Sequence, residues 1–242
     1  SDNGQNVIGV SLAINDCIPG APEPAEPVAV EYWLGMIRKM LDCGVDGVDL
    51  RITNHNSSLD WLEYGFNQPV VDAYFKRYGV NPKLEPFDRE KLRRLRGEFY
   101  TAFLEKAAGL VKKSGKKLCL HIPDMAFGSP EQSTMMEIHW DWRSWLKKGI
   151  ADEVTFKTIR KDNAFSTEGF ELVKLCTDKT IPVSICPFLH AVSDLPEYLS
   201  KIEKMGVNAF TIYEAATLWR AEKNVFNELM PPVNEIIKST FK

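Results

Sequence analysis

The sequence predicts an α/β fold of the TIM (β/α)-barrel kind, and three observations predict it. Six apolar segments rich in β-branched residues alternate with segments of helical periodicity. No hairpin signature separates neighbouring segments, so they read as right-handed βαβ units on a parallel sheet. Polar or charged residues recur at the strand C-terminal ends: Asn15, Asp49 with Arg51, His121, Lys157, His190 and Glu214. A barrel builds its active site at that end. A closed barrel has eight strands, so with six βα units either two are missing from this chain or the barrel is incomplete and its open side is covered. Residues 1–242 read as a single barrel-type domain, truncated at the N-terminus.

Val7 to Ile14 is a β-branched apolar run and reads as a buried strand. A loop rich in Pro, Gly and Ala follows, through Pro19, Gly20, Pro22, Pro24 and Pro27. From Val28 to Cys43, Val30, Trp33, Leu34, Ile37, Met40 and Leu41 recur at helical spacing, and Gly44 supplies the stop. The second strand carries Val48, Leu50 and Ile52 on one face and Gly47, Asp49 and Arg51 on the other. Residues 53–86 form the longest irregular stretch, with one short helix from Val70 to Tyr78. Loops of this length are functional or disordered, and Trp61, Tyr64, Phe66, Tyr74 and Tyr78 favour an ordered one.

Asp88 caps a long helix that runs to Lys113 and stops at Ser114-Gly115. Lys117 to Ile122 is a strand closed by Pro123, and Trp140 to Lys148 a helix ending at Gly149. Glu153 to Thr158 and Pro182 to Phe188 are strands separated by a helix from Thr167 to Asp178. A helix from Leu195 to Met205, a strand from Ala209 to Glu214 and a last helix from Asn224 to Ile237 complete the chain.

Composition narrows the function classes. The chain is 44% hydrophobic and 26% charged, with a net charge of −3, which argues against nucleic acid as a partner. Its small basic cluster, Lys112-Lys113 and Lys116-Lys117, suits a helix C-terminus. No apolar run reaches the ~20 residues of a membrane span. Cys17, Cys43, Cys119, Cys176 and Cys186 are scattered without a CxxC pair, so buried free thiols are expected rather than a disulfide framework or zinc ribbon. No GxGxxG, phosphate loop, GxSxG, HxH or HExxH occurs, and no cofactor or metal is expected. The chain starts Ser1-Asp2-Asn3-Gly4, an abrupt polar opening that suggests a processed or truncated N-terminus.

Three stretches then suggest a family. Gly44-Val45-Asp46-Gly47-Val48-Asp49-Leu50-Arg51 resembles the "YGVDGI-x-x-D" strand of the bacterial glycosyl-hydrolase-like family 10 barrels. The stretch from Asp141-Trp142-Arg143-Ser144-Trp145 through Gly149-Ile150-Ala151-Asp152 is similar to their "D-x-R-x-W-(hydrophobic)-x-x-G-(hydrophobic)-x-D" junction. Tyr64-Gly65-Phe66-Asn67-Gln68-Pro69-Val70-Val71, leading to Arg77-Tyr78-Gly79-Val80, resembles an insertion in one branch. The resemblance covers Val28 to Phe188, places the start of the chain near the third barrel strand, and implies a secreted or periplasmic location. One departure stands out: the family's acid at the end of the strand falls on Arg51, with Asp49 at the preceding inward position.

Glycoside hydrolysis needs two carboxylates, about 5–5.5 Å apart for retention or about 6.5–9.5 Å for inversion. Asp49 is the first candidate and Glu214 the second, with Asp124 and Glu63 as loop alternatives. The expected sugar-binding groups are Arg51, Asn54, His55, Trp61, His121, Asp124, Lys157 and His190, because amides, imidazoles and flat aromatic faces suit hydroxyls and sugar rings. An inward Lys157 needs a carboxylate partner, Asp49 or Glu214. Against these stand plainer readings: a self-neutralising Asp49–Arg51 pair, a satisfied structural His121, and Asp141 and Arg143 serving their helix. The expected function is glycoside hydrolysis of a poly- or oligosaccharide. The alternatives are a non-catalytic glycan-binding barrel and a metal-assisted hydrolase or lyase. A homodimer that covers an open barrel edge is the expected answer to an unpaired sheet margin.

Overall fold

The sheet at the centre of the chain is built from strands that need no hairpin to pair. A computed structural model of the protein describes residues 8–10, 17–51, 65–124, 138–158, 165–187, 195–207 and 209–211. Its strands are β1 (Ile8–Val10), β2 (Cys17–Pro22), β3 (Gly47–Arg51), β4 (Lys117–Pro123), β5 (Glu153–Thr158) and β6 (Val183–Pro187). Its helices are α1 (Pro27–Asp42), α2 (Gln68–Tyr78), α3 (Arg89–Lys113), α4 (Trp142–Lys147), α5 (Thr167–Asp178) and α6 (Leu195–Lys204). Strands β3-β4-β5-β6 form a parallel sheet in that order. Residue Phe210 then meets β6 through a parallel bridge to Ile185.

The N-terminal strands depart from expectation. β1 falls within the strand expected from Val7 to Ile14, whose residues 11–14 lie outside the described residues, and where a loop was expected it pairs antiparallel with β2, Ile8 opposite Pro22 and Val10 opposite Cys17, with an irregular register between them. Pro19, Gly20 and Pro22 are loop signals in sequence. A two-stranded margin tolerates them because a proline need only lack a hydrogen bond on its unpaired side.

The chain divides into two compact units, Ser1–Cys119 with Met125–Asp152, and Leu120–Asp124 with Glu153–Lys242. In the first unit the helices are set by their ends. Proline occupies the first turn of α1, where a missing N–H is no loss. The Asp88 side chain accepts from Lys91 N at the start of α3, and that of Asp141 accepts from Ser144 N at the start of α4. Helix α3 packs against α1 and α2 through a ridge of Leu92, Arg96, Tyr100, Leu104 and Val111. Phe66, Val70, Val71 and Tyr74 close an apolar cluster with Leu92 and Leu95. Much of the 53–86 stretch, which its aromatics mark as ordered, is therefore core; its residues 53–64 lie outside the described residues. Gly47 has a packing reason: a Cβ there would sit 2.7 Å from the Lys117 carbonyl oxygen.

The second unit is a small parallel sheet under helices. Strands β5 and β6 pair in register, Thr155 with Ser184, Phe156 with Ile185 and Lys157 with Cys186. Helix α5 packs on β6, and Tyr198 of α6 hydrogen-bonds the Thr158 hydroxyl at 2.8 Å. The cysteines divide in a way the sequence does not predict. Cys176 and Cys186 are buried free thiols, Cys119 is half-buried, and Cys43 is exposed at the C-terminal end of α1.

Candidate functional site at the strand C-terminal ends

In the second unit the alternation along the strands sorts chemistry between two faces. Val154, Phe156 and Ile185 are apolar and point to the side where Thr158 meets α6. The opposite face of β5 and β6 carries Thr155, Lys157, Ser184 and Cys186. Hydroxyls line its lower part: Thr155 Oγ1 lies 3.2 Å from Ser184 Oγ, which lies 3.5 Å from Thr211 Oγ1. Lys157 follows one strand repeat nearer the C-terminal end and is only 3% exposed. Along β4, Leu118, Leu120 and Ile122 are fully buried on one face, leaving Cys119 and His121 on the other. Asp124 follows directly after Pro123, and both His121 and Asp124 are buried.

The second unit therefore holds an imidazole, a carboxyl and an ammonium group at the ends of β4 and β5. Burying three ionisable groups in one small unit is costly unless each is engaged, and each of them is. The arrangement can hydrogen-bond hydroxyls through several donors and acceptors, and the carboxyl and imidazole can move a proton.

The other predicted residues are placed as follows. Asp49 and Arg51 share one face of β3 with Gly47, as alternation predicts, and that face is exposed while Val48 is buried. Asn54, His55, Trp61, His190 and Glu214 lie outside the described residues, as do Glu63 and Trp219. Asp141 caps α4, and the Arg143 guanidinium stacks over the Trp142 ring at 4.2 Å, so both serve their helix. Trp140 is core, packed against Tyr100 and Trp145. Among the described residues no cluster of His, Cys, Asp and Glu has the arrangement of a metal site. None of their helices is long and apolar enough to cross a membrane.

A second buried polar group, in the first unit, was not anticipated. Arg96 Nη2 donates to Glu23 Oε2 at 3.2 Å, and Asn67 Nδ2 donates to Glu26 Oε1 at 3.0 Å. All four side chains are buried. They join the start of α1, the start of α2 and the second turn of α3. The backbone at Gly65, with φ of +94°, runs so close to the Arg96 guanidinium that a Cβ would overlap it. A sequence signal existed: Arg96 falls on the apolar ridge of α3, four residues after Leu92 and four before Tyr100.

No protein-family model matches this chain, and no curated protein matches it in sequence. Among solved structures it is similar to the PgaB (BpsB) glycoside hydrolase domain from Bordetella bronchiseptica, at a TM-score of 0.50 and 12% identity. The match covers 87% of this chain and 64% of that one, so the chain spans less than two thirds of that domain's length. At this identity the likeness concerns the fold alone: a mixed α/β chain with a parallel four-stranded sheet.

Proposed function

We propose that this chain is a carbohydrate-active domain of the glycosyl-hydrolase-like family 10 type, hydrolysing a poly- or oligosaccharide at its strand C-terminal ends. The observation that carries the reading is the burial of His121, Asp124 and Lys157 together at the ends of β4 and β5, in a chain whose fold resembles a glycoside hydrolase domain. Asp124 supplies one carboxylate and Glu214 the second, one protonating the leaving oxygen while the other acts on the anomeric carbon or on water. His121, Lys157 and His190 hold sugar hydroxyls. Asp49, Arg51, Asn54, His55 and Trp61 are the sequence's further candidates for sugar contacts.

A glycan hydrolysis screen tests this, comparing the wild type with Asp124→Asn, Glu214→Gln and Asp49→Asn. Hydrolysis lost in Asp124→Asn and Glu214→Gln supports the assignment, and activity undiminished in both overturns it. One observation favours a second reading: Arg51 stands where the resemblance expects an acid, which suits a barrel that binds glycans without cutting them. Retained glycan binding with no hydrolysis by the wild type would favour that reading.

A further inference from the structure

The strand face of the second unit that turns away from α6 holds an amine and hydroxyls where apolar packing is the rule. In a closed (β/α) barrel that face is filled by bulky branched side chains such as Val, Ile and Leu. Here β5 presents Thr155 and Lys157, and β6 presents Ser184 and Cys186. The Ile185–Phe210 bridge sets Phe210 on the helix-covered side and leaves Thr211 on this one. None of the five is a bulky apolar residue. Thr155 is buried, Ser184 half-buried and Thr211 exposed, so the row of hydroxyls runs from solvent inward. Its links are 3.5 Å between Thr211 and Ser184 and 3.2 Å between Ser184 and Thr155.

Lys157 follows one strand repeat after Thr155 and stands directly opposite Cys186. At 3% exposure it is withdrawn from water. Withdrawing an ammonium is costly, and a well-packed apolar residue fills space without that cost. Lysines in such places serve as bases and as Schiff-base amines. The Lys157 side chain is engaged in this structure, as are His121 and Asp124, both buried at the end of the neighbouring strand β4. An imidazole and a carboxyl there can accept and return protons.

We propose that Lys157 captures carbonyl compounds, forming a Schiff base with a small hydroxylated aldehyde or ketone whose hydroxyls bind along the Thr155–Ser184–Thr211 row. Nζ gives up a proton to the β4 end groups and attacks the carbonyl carbon, while the C=O π pair moves to oxygen. Two protons in all leave the nitrogen and both end on that oxygen, which departs as water. A C=N bond forms and the one positive charge stays on the iminium. Ammonium and carbonyl become iminium and water, so the step needs no oxidant or reductant. The hydroxyl row favours an open-chain sugar or a shorter hydroxyaldehyde over an apolar carbonyl compound. Hydrolysis needs two carboxylates, whereas capture needs one amine, so the inference is independent of the activity proposed above.

Reductive trapping of the whole 242-residue chain tests it. The native protein is treated at neutral pH with glyceraldehyde and cyanoborohydride, and in parallel with propanal, which has the same carbon chain and no hydroxyls. Peptide mass spectrometry locates the labelled lysines. With glyceraldehyde, Lys157 should label at least about tenfold faster than the exposed Lys112 and Lys113, and that preference should vanish in urea. Propanal should show a smaller preference for Lys157 over the same two lysines. Ser184→Val should slow glyceraldehyde labelling of Lys157 and leave that of Lys112 unchanged. Circular dichroism checks that this variant is folded, and the two aldehydes on the wild type decide the matter if it is not. Lys157 labelling no faster than the exposed lysines overturns the proposal. So does a Lys157 that takes propanal as readily as glyceraldehyde, or a folded Ser184→Val chain that labels like the wild type.

Discussion

Arg96 and Glu23, 73 residues apart in the chain, form an ion pair in which both side chains are almost wholly buried, at 8% and 2% exposure. A buried pair earns little net stability as a pair, but removing one partner strands a charge away from water. Glu23→Ala should therefore lower unfolding stability by about 3–5 kcal/mol, measured in urea. Replacing both residues by apolar ones, Glu23→Leu with Arg96→Met, should recover most of that loss. A double-mutant cycle showing no coupling between the two positions would contradict the structure.

His139 lies against α3, with its backbone N–H donating to the Arg93 carbonyl at 3.0 Å. Desolvation holds its pKa below the ordinary 6.5, and Arg93 and Arg94 push it the same way. The folded imidazole thus takes up a proton less readily than the unfolded one. Its contribution to stability is full above about pH 6.5 and is lost as pH falls below that value towards the folded pKa. Urea titrations between pH 7.5 and 5.5 should show stability falling with pH, and His139→Gln should flatten that fall. An unchanged slope in the variant would show that other groups set it.

Helix caps and strand alternation were legible in the sequence because they are local. Asp88 and Asp141 were readable as caps from their own positions, and Asp49 and Arg51 as residues of one strand face. The β1–β2 pairing was not, since two backbones supply its hydrogen bonds whatever side chains they carry, and its prolines read as loop. Glu23 and Glu26 were missed for a related reason. They sit among prolines, where a carboxylate looks like a solvated turn, and only the distant Arg96 and Asn67 make their burial tolerable. The site was legible in part: His121 and Lys157 follow from strand ends and period, whereas the burial of Asp124 depends on how the chain turns after Pro123.

The thiols should separate by reactivity. Burial pushes the Cys176 thiol up to about 12, so almost none of it is thiolate near neutral pH. Cys43 is exposed. Labelling the native protein with a disulfide reagent should modify Cys43 within minutes and leave Cys176 and Cys186 untouched until denaturant is added. Mass spectrometry of the digested protein reads this directly. Early labelling of Cys176 would contradict its place on the core side of α5.

The two faces of the second unit predict opposite outcomes for two small substitutions. Tyr198 and Thr158 share a buried hydrogen bond at 2.8 Å on the helix-covered side, the strand face opposite Thr155 and Lys157. Tyr198→Phe leaves the Thr158 hydroxyl buried without that partner and should cost about 1–3 kcal/mol of stability, with kcat unchanged on whichever glycan the screen identifies. Asp124→Asn keeps the shape of the side chain and removes its capacity to exchange a proton. If Asp124 acts on the glycosidic bond, kcat should fall about 10²- to 10⁴-fold while the melting temperature stays near that of the wild type. The pair of measurements separates chemistry from scaffold. A loss of stability in Asp124→Asn with turnover per folded molecule preserved would make Asp124 a structural acid and return the search for the first carboxylate to Asp49.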